Sequence, residues 1–334
     1  MNKTSLIGNA LHTPPTLFTL LKNVKKQKLF LQRNIQPQLE SVKNTNDGSL
    51  DATDFKKITH YYGLSVPAIL GEAICVLRGS AMTLKERLAL TYHGAVTGLY
   101  DDFFDKHDMT DEKVRMFMEQ PQALIGESSV EKLFLEFYKK ALAHTESPAL
   151  MINYLRKVYQ AQIDSKKQAS PGLTNEEILD ITLNKGGVSV LFYRSVMSFA
   201  FQPGEEEALY KMGGLMQLGN DIFDVYKDSL HKIHTPMTTA QRVNDVRKTF
   251  RSVMDDSFNS FYKSNFSPIN IKKFLRLISM CLCSRCFVCL DQLESKEAST
   301  NGIFSPQLYT RKDLVCDMDT VSNKWKTINY FLKN

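Results

Sequence analysis

Apolar residues recur at intervals of three and four along nearly the whole chain, and little interrupts them: 334 positions hold only 16 glycines and 11 prolines. A 3.6-residue period sustained over long runs predicts amphipathic helices, and strand-like alternation is nearly absent. Helices are expected over about 15–43, 54–77, 83–105, 110–118, 128–144, 147–168, 174–201, 204–230, 238–264, 269–296 and 308–332, with ends good to roughly two to four residues. Turn chemistry falls between them, at Asn44 to Ser49, Gln120-Pro121, Ser147-Pro148, Ser170-Pro171-Gly172, Gln202-Pro203-Gly204, His234 to Pro236 and Ser299 to Ser305. Thr174-Asn-Glu-Glu177 has the capping-box spacing of a helix start. No fixed-period repeat or low-complexity tract divides the chain. The reading is all-α, with one helical domain over residues 1–334.

Hydrophobic residues make up 43% and charged residues 23%, a globular balance that supports a large buried core. The net charge of +6 comes from 42 basic and 36 acidic residues spread along the chain, which argues against a nucleic-acid binder. Lys22, Lys25, Lys26, Lys28 and Arg33 cluster and suit a polyanion or a membrane surface, although a solvated helix face is the simpler reading. Residues 1–19 lack a signal-like apolar run, and no stretch approaches the roughly 18 uninterrupted apolar residues of a transmembrane segment. A cytoplasmic protein is expected. Cys281, Cys283, Cys286 and Cys289 have spacings that zinc or an iron–sulfur cluster would accept. They sit in an apolar helical run without the Gly or Pro of a ligand-bearing knuckle, so they read better as small buried residues.

Two acidic clusters carry the chemistry. Tyr100-Asp-Asp-Phe-Phe-Asp105 puts Asp101 and Asp105 on one helical face with Asp102 beside them, and Asp108 extends the cluster. Carboxylates four apart on a helix repel unless a cation lies between them, and Mg2+, a hard ion that shares its shell with phosphate oxygens, is the natural one. Asn220-Asp-Ile-Phe-Asp-Val-Tyr-Lys-Asp228 places Asn220, Asp224 and Asp228 at i, i+4 and i+8. The apolar approach through Leu215, Met216 and Leu218 suggests that this face begins inside the protein, where unpaired charge is costly. Two such rows suit two helices facing each other across a bundle cavity.

These strings resemble the class I terpene synthase and trans-isoprenyl diphosphate synthase superfamily over roughly residues 85–240. The likeness runs from His93-Gly-Ala95 and Asp101-Asp-Phe-Phe-Asp105 through Gln162-Ile-Asp164, Thr174-Asn-Glu-Glu-Ile178 and Lys185-Gly-Gly187 to Gln217-Leu-Gly-Asn-Asp-Ile-Phe-Asp224. It implies a helical bundle with a central active-site cavity and three Mg2+ ions. Asp101 and Asp105 would hold two of them, and Asn220, Asp224 and Asp228 the third. Lys185 matches a diphosphate-binding lysine, Arg194 and Lys227 are further diphosphate candidates, and Asp102 belongs to the same catalytic set. Gly186-Gly187 would mark either a helix kink or a close helix approach.

The Gly-Lys-Arg and Arg-Arg-Gly elements with which chain-elongating relatives bind isopentenyl diphosphate are missing. After Asp105 the chain reads Lys106-His-Asp-Met-Thr-Asp-Glu112, and the nearest basic element upstream is Arg78-Gly79. Ionisation machinery without an acceptor pocket implies a cyclase that reacts one prenyl diphosphate with itself. Aromatic faces stabilise cations, and Phe104, Phe192, Tyr193 and Phe199 are the cavity candidates, with core packing as their ordinary role. Small residues at Val96, Thr97 and Gly98 lean toward geranylgeranyl diphosphate as substrate, with farnesyl and geranylfarnesyl diphosphate as alternatives. Two other readings stay open: a prenyl transferase, chain-elongating or head-to-head like squalene and phytoene synthases, and a non-catalytic helical binding protein. A homodimer is compatible with the resemblance, and the sequence leaves the oligomeric state open.

Overall fold

Helix dominates because apolar periodicity and good capping coincide. In the computed structural model, which describes the backbone of residues 3–107 and 109–333 and their side chains except those of 3–10 and Asp105, no strand occurs among the described residues. Capping boxes close the starts of the helices after Asp51 and Thr83, and Thr174 and Glu177 exchange the expected bonds, Glu177 N–H donating to Thr174 Oγ1 at 3.2 Å and Thr174 N–H to Glu177 Oε2 at 2.7 Å.

The chain forms two compact units. One comprises Phe18–Leu155 and Phe192–Ala200; the other comprises the described residues up to Leu17, Arg156–Leu191 and the described residues from Phe201. Each is organised about one helix that bears an acidic row.

In the first unit that helix is Leu84–Asp105, buried on nearly every side from Glu86 to Phe104. A helix apolar all round belongs in a core. It packs on Ser129–His144 and on the run Ala52–Arg78. That run is long and apolar enough to cross a membrane by composition alone, but 56% of its most apolar window is buried inside the protein. Two π-helical stretches, Lys57–Tyr61 and Val66–Gly71, widen it. Pro67 lacks an N–H for the helical ladder, and the wider turn absorbs the missing rung. Gly63 is required, since a Cβ there would lie 2.1 Å from the Ile58 carbonyl oxygen. The widened backbone then lies along a glycine groove: a Cβ at Gly94 would meet the Tyr62 carbonyl at 2.7 Å, and one at Gly98 the Lys57 stem at 2.9 Å.

In the second unit the helix is Glu205–Phe223, packed against Val243–Phe261 and Ser284–Glu297. Gly186 and Gly187 lie within the uninterrupted helix Asn175–Ser195. A Cβ at Gly186 would be 2.1 Å from the Gly213 carbonyl oxygen, and one at Gly187 2.5 Å from the Tyr210 ring. The glycine pair is therefore a close helix approach and not a break. Cys283, Cys286 and Cys289 are buried free thiols, and burial pushes Cys286 up to about 12, the behaviour of small core residues.

Candidate functional site

On the Leu84–Asp105 helix, the adjacent carboxylates Asp101 and Asp102 have different surroundings. Asp101 is half-buried, and the Tyr62 hydroxyl, carried on the widened run, donates to its Oδ2 at 3.4 Å. Asp102 is buried and takes the Lys57 ammonium on Oδ1 at 2.5 Å. Lys57 reaches it because its stem lies over Gly98, one turn earlier on the same helix. Burial raises the Asp102 carboxyl, against the pull of Lys57, and the neighbouring Asp54 carboxyl adds to the rise. Burial also acts to raise Asp54, but the Asp51 amide and the Lys106 ammonium, at 3.0 Å, outweigh it and hold that carboxyl low. Lys57, Asp102, Asp54 and Lys106 thus tie the end of the acidic helix to the Asp51 cap. Asp102 serves this tie. Asp105 ends the helix with its side chain outside the described residues, and Asp108 also lies outside them.

In the second unit the expected single helix over 204–230 is interrupted. Glu205–Phe223 ends at Asp224, whose ψ of 7° departs from the helix, and Val225–Leu230 follows. The i→i−4 bonds from Asp224 N–H to Asn220 O at 2.8 Å and from Asp228 N–H to Asp224 O at 2.9 Å survive the interruption, so the row keeps its spacing. Asn220 is exposed and donates to Asp224 Oδ2 at 3.1 Å. The expectation that Asn220 begins the row inside the protein is therefore corrected: the buried member is Asp221, the next residue round the helix. Thr182 Oγ1 and Gln217 Nε2 both donate to Asp221 at 2.9 Å. Burial raises Asp221 to about 6, with Lys185 opposing and Asp224 adding to the rise. Asp228 is raised to about 7 by burial, then by Asp221 and Asp224, with Lys227 and Lys185 opposing. Lys185 is half-buried on the helix Asn175–Ser195, within electrostatic reach of both carboxyls. Lys227 is exposed.

Among the aromatic candidates, Phe104 is buried edge-to-face with Tyr100, their centroids 5.3 Å apart, and Phe192 packs edge-to-face on His93 at 5.2 Å. Tyr193 is buried with its hydroxyl 2.5 Å from Thr97 Oγ1. Phe199 is exposed at a φ of 78°, under the Arg78 guanidinium, so it lines no interior wall. Arg194 is buried, and its guanidinium donates to the Phe199 and Ala200 carbonyls at 3.3 Å. The volume absent at Gly98 is filled by Lys57. A cavity of about 650 Å3 between Asn184, Val188 and Tyr210, and one of about 540 Å3 between Leu39, Lys43 and Phe55, are each lined by residues other than the acidic rows.

Lys57, Tyr62, Thr182, Gln217 and Asp221 were not singled out from the sequence. Gln217 and Asp221, four apart on one helix, had a readable signal as a hydrogen-bonding pair. The others depend on long-range packing and leave none.

Compared with known proteins, the chain matches no family model, no curated protein and no solved structure. Among the described residues no three His, Cys, Asp or Glu side chains gather as a ready-made metal cage. The second row nevertheless fits a hard divalent cation: Asp224 disfavours the ionisation of both Asp221 and Asp228, and Asp221 adds to the effect on Asp228, a repulsion that a cation would relieve. Mg2+ needs only one or two protein carboxylates, because water and phosphate oxygens complete its shell.

Proposed function

We propose that this chain is a Mg2+-dependent class I terpene synthase of the cyclase branch, a helical bundle that ionises a prenyl diphosphate, geranylgeranyl diphosphate by preference, and cyclises the resulting allylic cation. The observation that carries the reading is the second acidic row, in which Asp221, Asp224 and Asp228 crowd together and half-buried Lys185 lies within electrostatic reach of Asp221 and Asp228. A cation site beside a half-buried ammonium suits a diphosphate, which brings its own oxygens to the metal.

In this reading Asn220, Asp224 and Asp228 hold one Mg2+, and Asp101 and Asp105 hold the others. Bound Mg2+ supplies charge neutralisation as diphosphate departs. Lys185 adds a point cation for the same leaving group. Asp221, held by Thr182 and Gln217, lies within electrostatic reach of Lys185 at the row. Tyr62 orients Asp101, and Lys57 keeps Asp102 out of the metal set. Buried Phe104, Phe192 and Tyr193 offer apolar, π-rich walls to a carbocation.

The test is product analysis. Purified protein with Mg2+ and geranylgeranyl, farnesyl or geranylfarnesyl diphosphate should yield a cyclic hydrocarbon or alcohol from one substrate alone. A longer diphosphate formed only with isopentenyl diphosphate would replace this reading with a chain-elongating transferase. A symmetric doubled chain would replace it with a head-to-head enzyme.

A further inference from the structure

The first helix, Lys3–Asn34, contains no Asp or Glu, and its last four turns concentrate Lys22, Lys25, Lys26, Lys28 and Arg33. Its inner face within the first unit is fixed: Leu31 and Gln27 are buried, Gln27 donates to the Gly63 carbonyl at 3.0 Å and to Thr91 Oγ1 at 2.9 Å, and Arg87 donates to Gln27 Oε1 at 2.9 Å. That anchoring decides what the other face presents. Phe18, Lys22, Lys25 and Leu29 follow one another at spacings of four, three and four, which places them in one outward stripe. Leu21 and Lys28 flank it on one side, Lys26 and Arg33 on the other. Phe18 is 68% exposed, Leu21 69% and Leu29 44%, and every basic residue of the group is exposed. Lys26 is also 3.7 Å from Glu72.

Large apolar side chains held outward among cations are costly in water and suit a bilayer interface. There the rings and branched chains enter the headgroup boundary while lysine stems extend to reach phosphates. Nucleic acid would use the cations and leave the Phe18, Leu21 and Leu29 stripe without a partner, so the combination favours lipid. We propose that the outward face of Phe18–Arg33 docks on the surface of an anionic phospholipid bilayer. This inference does not depend on the diphosphate reading.

The experiment is co-sedimentation of the full chain with vesicles of phosphatidylcholine alone and of phosphatidylcholine with phosphatidylglycerol, at low and high salt. Binding is expected only to the anionic vesicles, weakening at high salt. Each cation near such a surface contributes about fivefold, so Lys22→Gln with Lys25→Gln should weaken binding roughly twenty-five-fold. Phe18→Ser with Leu21→Ser should weaken it at least tenfold, with far-UV circular dichroism unchanged because both side chains are exposed. The proposal is overturned by equal binding to both vesicle types, or by no binding to either. It is also overturned if the charge variants bind like wild type, if duplex DNA is held more tightly than vesicles, or if the Phe18 variant abolishes a dimer while vesicle binding is unaffected.

Discussion

At the residue scale, Asp228 and Asp221 carry carboxyls raised to about 7 and about 6, chiefly by burial, with Asp224 adding to both and Asp221 adding to Asp228. The folded state therefore holds protons that the unfolded chain has released, and metal-free stability should fall as pH rises from about 4, the ordinary carboxyl value, through about 7. Asp228→Asn removes the larger share of this loss. At pH 8 without divalent metal it should stabilise by on the order of 1 to 2 kcal/mol, discounted for solvent contact, and at pH 4 by almost nothing. Thermal unfolding at the two values checks this, and an equal shift at both would contradict it. Adding Mg2+ at pH 8 should raise the wild-type melting temperature and leave Asp228→Asn nearly unmoved. The Lys57–Asp102 pair behaves differently because an ammonium sits directly on the buried carboxylate. Lys57→Met strands a buried carboxyl and should cost about 2 to 3 kcal/mol in urea unfolding, and adding Asp102→Asn should recover most of it. A double variant no more stable than the single would mean that the pair is incidental.

At the scale of elements, glycine sets how closely the helices bearing the acidic rows approach their neighbours. Gly94 and Gly98 seat the π-widened run on the Asp101 helix, and Gly186 with Gly213 brings the Lys185 helix against the Asn220 helix backbone to backbone. Gly186→Ala should destabilise by about 2 to 3 kcal/mol, because its Cβ would have to displace the Gly213 carbonyl. Gly302→Ala, in open space at a φ of 74°, should cost only about 1 kcal/mol of backbone strain. Urea midpoints of the two variants compare the costs, and equal midpoints would contradict a tight helix contact. Helices were legible because period and caps are local: Asp111–Glu119 and Ser129–His144 lie within a residue of their expected bounds. The break at Asp224, the extension of the first helix back through Pro15 and Pro14 to Lys3 and the π stretches were not legible. Hydrophobic periodicity reports which side faces the core, and it survives the loss or widening of a single rung.

At the scale of the molecule, two compact units each carry one acidic row on their central helix. The sequence marked out Asp101, Asp224, Asp228 and Lys185 as candidates through spacing and motif. It did not show which neighbours restrain them, because Lys57 and Thr182 lie 45 and 39 residues away from the carboxylates they bind. Nor did it separate Asp102, which is tied into an ion-pair network, from Asp101, since adjacent aspartates look alike until packing distinguishes them. The central claim is that these rows ionise a prenyl diphosphate with Mg2+. Its most direct test is release of inorganic diphosphate from geranylgeranyl, farnesyl or geranylfarnesyl diphosphate supplied alone, for wild type, Asp101→Ala and Asn220→Ala, with Mg2+ and with a chelator. Release from at least one substrate by wild type with Mg2+, and its loss in both folded variants and under chelation, is the predicted result. No release from any of the three substrates, or release that the variants retain, would contradict it.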